Sequence, residues 1–224
     1  MTTALSNVLA ALPGKPRRWR LSRGQAVWRA GDPARDFIAV ESGLVKIVRL
    51  GPEGVEAIVG LFGPGDSIGD TAVIERGVYP ADAIVASRAA ALAGIEAAPV
   101  LRAAESDARL AAALREALLA HTHALRNKIE VMTAGGVSER VATLLLLLAR
   151  RFGHPAGGGV EIPIALSRTE LAALVGATVE TTIRVLSAWR RQGLVLSLPQ
   201  GLRLTAAGLE TLGRSAAAAS FEDK

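Results

Sequence analysis

The sequence predicts an α+β chain in three parts: an N-terminal β-roll of the double-stranded β-helix kind, one long helix, and a C-terminal winged helix-turn-helix. Three observations predict it. Short apolar runs between Trp19 and Glu96 are separated by Gly-, Pro- and Asp-containing turns every ~8 to 12 positions. A stretch rich in Ala, Leu, Arg and Glu then runs to Ala134 with no proline after Pro99. Finally, two short helical segments, each with a capping residue in place, are broken at Val175-Gly176-Ala177. The boundaries are expected at residues 1–105, 106–134 and 135–224.

In the first part the runs are Gln25–Trp28, Asp36–Val40, Gly43–Leu50, Val55–Phe62, Ala83–Ala86 and Ala90–Ile95. Gly31-Asp-Pro33, Glu41-Ser-Gly43, Gly51-Pro-Glu-Gly54 and Gly63-Pro-Gly-Asp66 supply the reversals between them. In the second part Leu114, Leu118, His121, Leu125, Lys128 and Met132 recur at alternating spacings of four and three, a heptad seam. Such a seam on one long helix is most economically satisfied by a second copy of the chain, which predicts a parallel homodimer. His121 has two readings: a polar interruption that sets register, or a haem ligand with His123 beside it.

Gly135-Gly136 breaks the helix and forms a hinge, because two glycines inside a helix cost ~1 kcal/mol each. A second helix is expected from Val137 to Arg151 behind a Ser138 cap, then a loop Gly153–Gly159 and a strand Val160–Ile164. Ser167 and Glu170 form a capping box that starts the first helix of the pair, with Leu171, Leu174 and Val175 on its buried side. Gly176 can take the left-handed conformation that the tight turn needs. Thr178 caps the second helix, which buries Thr182, Val185, Leu186 and Trp189. A wing is expected from Leu194–Leu198 and Leu202–Leu204, then a short helix Ala206–Leu212 and a poorly ordered tail to Lys224.

On its open side the second helix presents Val179, Glu180, Ile183 and Arg184. Glu180 and Arg184 lie four apart, a spacing that on any exposed helix also serves a solvated ion pair. Within a capped helix-turn-helix the same first turn is where base edges are read. Arg168, Arg184, Arg190, Arg191 and Arg203 gather in the last third, which favours contact with phosphates, and the formal net charge of +5 agrees. No cysteine is present, which excludes disulfides and cysteine-ligated iron-sulfur clusters. No signal-peptide core and no run long enough to cross a bilayer are evident, so the cytoplasm is the expected compartment. With three scattered His and no nucleophile elbow, no catalytic constellation can be named, and an enzyme is not expected.

The order and spacing of Arg29-Ala-Gly-Asp32, Val40-Glu-Ser-Gly43, Phe62-Gly-Pro-Gly-Asp66 and Ile68-Gly-Asp70 resemble the cyclic-nucleotide-binding fold. Joined to the C-terminal helix-turn-helix, they make the chain resemble the CRP/FNR superfamily of transcription regulators over about Pro16 to Leu204. The resemblance implies a dimer that binds double-stranded DNA, and contact with RNA polymerase where it activates. It implies base reading by Val179, Glu180, Ile183 and Arg184 and phosphate contacts from Arg168, Thr181, Ser187 and Arg190. It also implies an effector pocket at Gly69, Asp70, Tyr79, Ala81, Leu125 and Arg126.

Thr178-Val-Glu-Thr181 matches the oxygen-sensing branch, and Glu180 with Arg184 implies a palindrome of TGA-containing half-sites. Ile183 stands where that branch has serine, and its apolar side chain suits a thymine methyl, so a TTGA-like half-site is expected. In the cyclic-AMP-binding members a glycine-glutamate pair and, some ten residues on, an arginine-serine pair hold the phosphate. Here Gly69-Asp70 is followed by Tyr79-Pro80-Ala81-Asp82, so cyclic AMP is not expected. The effector is left unassigned, as is the choice between activation and repression. A structural role for Asp70 and Tyr79 is the plain alternative, and an effector-sensing module acting through a protein partner is the alternative to DNA binding.

Overall fold

The computed structural model describes residues 16–51 and 56–219. Four features read from the sequence fall outside these: the N-terminal stretch weighed as a signal peptide, most of the turn Gly51–Gly54, the end of the tail, and the side chains of His121 and His123. The chain divides into two compact units, residues 1–125 and 126–224.

In the first unit two four-stranded antiparallel sheets form the β-roll. One has the order β1 (Arg17–Ser22), β8 (Ala89–Glu96), β3 (Asp36–Ser42), β6 (Ser67–Ile68). The other runs β2 (Ala26–Trp28), β7 (Asp82–Val85), β4 (Val45–Leu50), β5 (Glu56–Phe62). All the pairings except that of β4 with β5 join strands distant in sequence, as when Arg17 lies opposite Gly94. Phe37, Val45, Ile68, Ala83 and Leu92 are fully enclosed in the core between the sheets. A short helix α1 (Asp70–Ile74) and a second, α2 (Ala97–Ala104), pack on the roll. Neither β6 nor α1 shows in the sequence pattern, because elements of two and five residues are too short for a hydrophobic period to repeat.

The expected continuous helix from Ala97 is interrupted at Glu105-Ser106-Asp107. Asp107 then caps α3 (Ala108–Met132), its Oδ1 accepting from the amides of Arg109 and Leu110. Leu110, Leu114 and Ala124 of α3 are buried in the core of the β-roll unit. Leu114 is therefore spent on the chain's own core and does not lie on the open face assigned to it by the heptad pattern.

In the second unit α4 (Val137–Phe152) starts at an N-cap Gly136, two residues before the expected Ser138 cap. Gly135 is left-handed, with φ 80°, and Gly136 extended, so the pair does break the helix; both glycines lie inside this unit. The region read as a loop contains β9 (His154–Ala156), paired with β10 (Gly159–Ile162). The helix pair is α5 (Arg168–Val175) and α6 (Val179–Arg191), which meet at 103°. The wing strands β11 (Val195–Leu198) and β12 (Gly201–Thr205) complete a sheet of order β11-β12-β10-β9. The last helix, α7 (Ala206–Ala219), runs past Leu212 into residues expected to be a loose tail; Thr205 Oγ1 caps its start by accepting from Gly208 N. Among the described residues no single helix is long and apolar enough to cross a membrane.

One polar group in the β-roll core is under tension. Asp70 is 1% exposed; one carboxylate oxygen accepts from Ser67 Oγ, and the other, Oδ1, has no partner among the described residues. Burial pushes its pKa from 3.8 up to about 6, with the Ser67 hydrogen bond opposing the shift. The folded state thus holds the proton more tightly than the unfolded chain does. The stability this contributes is full below pH 3.8 and is lost as pH rises through about 6. Asp70→Asn should remove that decline: urea melts at pH 4 should differ little from wild type, while near pH 7 the variant should be more stable by on the order of 3 kcal/mol. A wild-type stability that does not fall across this window would contradict the assignment.

Candidate nucleic-acid interface

The helix-turn-helix is built by local chemistry. Ser167 Oγ accepts from Glu170 N at 3.1 Å, and Glu170 Oε2 accepts from Ser167 N at 2.8 Å, a complete capping box. Gly176 ends α5 with φ 60°, and Ala177 N donates to Ala172 O at 3.0 Å. Thr178 caps α6 by accepting from Thr181 N at 3.2 Å. Buried Thr182 returns its hydroxyl to Thr178 O, and Leu186 continues the inward face with 2% exposure.

Three side chains from the preceding helices hold the turn. Lys128 Nζ donates to Leu174 O at 2.7 Å, placing a cation at the carbonyl end of α5, where the helix dipole is negative. Burial lowers the Lys128 pKa. Arg140 Nη1 donates to Gly176 O at 3.4 Å, and the Met132 methyl sits where a Cβ on Gly176 would be, 2.7 Å away. A residue other than glycine there would meet both a left-handed backbone and this methyl. Lys128, read from the sequence as a seam position, is thus committed within its own unit.

What α6 leaves open is its first two turns. Val179 is 37% exposed, Glu180 and Arg184 are exposed, and Ile183 is half-buried beside them. The common ion pair of an i,i+4 Glu/Arg does not form: neither side chain has a hydrogen bond or salt bridge among the described residues. Both are free to meet a ligand. Arg168 and Arg190 are likewise exposed, and Ser187 is half-buried. The Thr181 hydroxyl accepts from Thr178 Oγ1 at 2.9 Å and keeps its own proton to donate.

Arg203 departs from the expected cluster. It pairs with Glu161 at 3.2 Å across β12 and β10, and its guanidinium lies over the bare Cα of Gly157. It is a strut of the wing sheet and not a free cation.

In the first unit a pocket of 170 Å³ is lined by Trp28, Ile47, Phe62, Gly69, Ala72, Tyr79, Ala81 and Leu125, with the exposed Arg49 also on its wall. Gly69, Tyr79, Ala81 and Leu125 are positions expected to line an effector site. Asp70 is not on the wall, and Arg126 is exposed and belongs to the second unit. Trp28 and Tyr79 stack with centroids 4.0 Å apart, and Trp28 Nε1 donates to Ala81 O. A Cβ on Gly69 would lie 2.6 Å from the Tyr79 ring. Burial pushes the Tyr79 hydroxyl up to about 12, aided by Asp36, Asp70 and Asp32.

These residues do not fit a cyclic nucleotide. Among the described residues no buried guanidinium lines the pocket, and Asp82 is held low by hydrogen bonds from Ala30 N and Arg29. A phosphate here would meet apolar rings and the buried Asp70 nearby. Trp28, Ile47 and Phe62, which also line it, carry no polar signature that would mark them in the sequence.

Residues 18–107 match the cyclic nucleotide-binding domain family, and residues 139–212 match the Crp-like helix-turn-helix domain family. The nitrogen fixation regulation protein FixK of Azorhizobium caulinodans is 31% identical over 201 residues, spanning 89% of this chain and 77% of that one. The CRP-like cAMP-activated global transcriptional regulator of Mycobacterium tuberculosis is 28% identical over 190 residues, 84% of each chain. The crystal structure of a CRP-family transcriptional regulator from Thermus thermophilus is similar at a TM-score of 0.74 and 26% identity, covering 89% of this chain and 96% of that one. FixK2 from Bradyrhizobium japonicum shares the fold at a TM-score of 0.76 and 22% identity, over 89% and 96%. With both domains matched in order and relatives that are transcription regulators, the chain belongs to the CRP/FNR family of DNA-binding transcription regulators.

Proposed function

We propose that this regulator binds, as a parallel homodimer, a palindrome of TTGA-like half-sites, with α6 of each subunit in the major groove. The observation that carries the reading is the unpaired Glu180 and Arg184 side by side on the first two turns of a doubly capped α6. Arg184 can donate two hydrogen bonds to O6 and N7 of guanine, and Glu180 can accept from the amino group of cytosine or adenine. Val179 and Ile183 flank them as apolar groups suited to thymine methyls. Arg168, Thr181, Ser187 and Arg190 are the proposed phosphate contacts, which fix register.

Dimerisation is ascribed to the face of α3 that the fold leaves uncovered. Leu118 is half-buried, while Thr122, Leu125, Ile129 and Met132 are exposed, and their alternating four and three spacing is that of a coiled-coil seam. This face shares Leu118, Leu125 and Met132 with the pattern read from the sequence and replaces Leu114, His121 and Lys128 with Thr122 and Ile129. An isologous pairing would put the two recognition helices about one DNA turn, roughly 34 Å, apart. The effector reading is a small, largely apolar molecule in the Trp28–Tyr79 pocket, bordered by Leu125 of the same helix. The cytoplasm is the proposed compartment, and contact with RNA polymerase follows if the protein activates transcription.

Arg184→Ala should weaken binding to the preferred palindrome by about 1 to 3 kcal/mol per half-site and relax preference at one base pair, whereas Arg190→Ala should weaken all sequences alike. Selection of bound sequences from a random duplex pool, followed by titration at several salt concentrations, reads both effects. Unchanged specificity in Arg184→Ala would overturn the assigned role. Ile129 is 61% exposed in the subunit, so Ile129→Glu should leave the far-ultraviolet circular dichroism of the folded subunit unchanged. The same substitution should weaken dimerisation ~100-fold by burying a carboxylate at the seam. Sedimentation analysis that finds an unaltered dimer would exclude this face.

A further inference from the structure

Away from both sites, the β-roll unit carries a cleft of 990 Å³ whose wall brings together Arg17 of β1, Arg35 before β3, Arg76 after α1 and Arg102 of α2. Two carboxylates share that wall, Asp36 and Glu96. Asp36 is engaged with Arg17 at 3.2 Å, and the Arg17 guanidinium also lies 4.8 Å from the centre of the Trp19 ring. Among the described residues the side chains of Arg35, Arg76 and Arg102 have no hydrogen bond or salt bridge, and all three are exposed. Three uncompensated guanidiniums from three separate elements thus face one concave surface, where like charges would otherwise be expected to lie apart.

Arg76 is there at a cost. α1 ends with Arg76 N donating to Val73 O and Gly77 N to Ala72 O, the paired bonds of a left-handed helix terminus. The residue in the left-handed conformation is Arg76, with φ 54°; among the described residues it is the one non-glycine with positive φ. Glycine, which takes that conformation freely, stands one position later. An arginine at this position costs about 1 to 2 kcal/mol relative to glycine. Ala97 and Ala98, the first residues of α2, also line the cleft, so the partly positive end of that helix adds to the field.

We propose that this cleft binds a small ligand carrying two or more phosphate groups, a site separate from the nucleic-acid interface and from the apolar pocket. Guanidiniums suit phosphate oxygens through paired N–H donors, and their spread over several elements matches an extended polyanion better than a single phosphate. The size of the cleft favours a metabolite-sized ligand over a lone ion. Glu96, on the same wall and at the N-cap of α2, opposes any anion there, so the guanidiniums must outweigh it.

The test uses the full-length protein without DNA and inorganic tripolyphosphate as the probe, followed by isothermal titration calorimetry. Saturable binding to one site per chain is expected, at least 10-fold tighter than for orthophosphate. Arg76→Gly removes a guanidinium while relaxing the backbone, so it should raise or preserve the melting temperature and still weaken tripolyphosphate binding 10-fold or more; Arg102→Ala should weaken it similarly. Equal affinity for the two probes, or no binding of either, overturns the proposal. So does loss of binding in Arg184→Ala with none in Arg76→Gly, which would assign the anion to the nucleic-acid face. A polyglutamate peptide that binds where tripolyphosphate does not would make the cleft an acidic-protein surface instead and equally overturn it. Since no DNA enters the assay, these outcomes are independent of the reading of α6.

Discussion

The second unit depends on how tightly one left-handed turn is gripped. Gly176 sets the 103° between α5 and α6, and that angle decides which residues of α6 face outward. Glycine supplies the conformation, but three neighbours hold it: the Lys128 ammonium on the last carbonyls of α5, the Arg140 guanidinium on the Gly176 carbonyl, and the Met132 methyl against the bare Cα. Lys128 and Met132 are in the closing turns of α3. The end of the long helix is therefore a packed part of the reading head and not a tether leading to it. The helix break at Gly135-Gly136 falls between Lys128 and Met132 on one side and Arg140 on the other, so bending there would act on a turn that α3 and α4 both hold.

The β-roll unit shows the same economy with a different result. Trp28 and Tyr79 stack over Gly69, and the pocket they border is apolar where a phosphate would need donors. Of the acids that act on Tyr79, Asp70 is enclosed and half-satisfied, which disfavours its charged form. Cationic groups gather instead on the outside of the unit, around Arg35, Arg76 and Arg102. A scaffold suited to holding an anion inside thus has an apolar interior and an anion-seeking exterior.

Legibility in the sequence followed the range of the interactions. The helix-turn-helix could be read almost residue by residue because its determinants are local: Ser167 with Glu170, Gly176 in the turn, Thr178 with Thr181. The heptad pattern lies on α3, but its positions do not share one environment. Leu114 and Leu118 are equivalent in spacing, and only the β-roll core, built from strands far earlier in the chain, decides that Leu114 turns inward. Arg203 was misread for the same reason, since its partner Glu161 lies across the sheet. The strand His154–Ala156 was hidden by its proline, and the cleft arginines, scattered between positions 17 and 102, have no sequence spacing to betray them.

Glu180 bears most directly on how the reading head works. A carboxylate on the surface that must approach a polyanion opposes binding to every DNA sequence, and the partial positive charge at the start of α6 offsets this only in part. Its cost is recovered where an amino group on a base can donate to it, because only there is the desolvated acid paired. Arg184, one turn on, attracts any phosphate and so by itself favours binding more than selectivity. With no salt bridge between them, the two side chains do not neutralise each other before contact. On the proposed reading the helix presents an attractive and a repulsive group in fixed order, and a wrong base pair would be penalised by the unpaired acid as well as by the lost guanidinium contact.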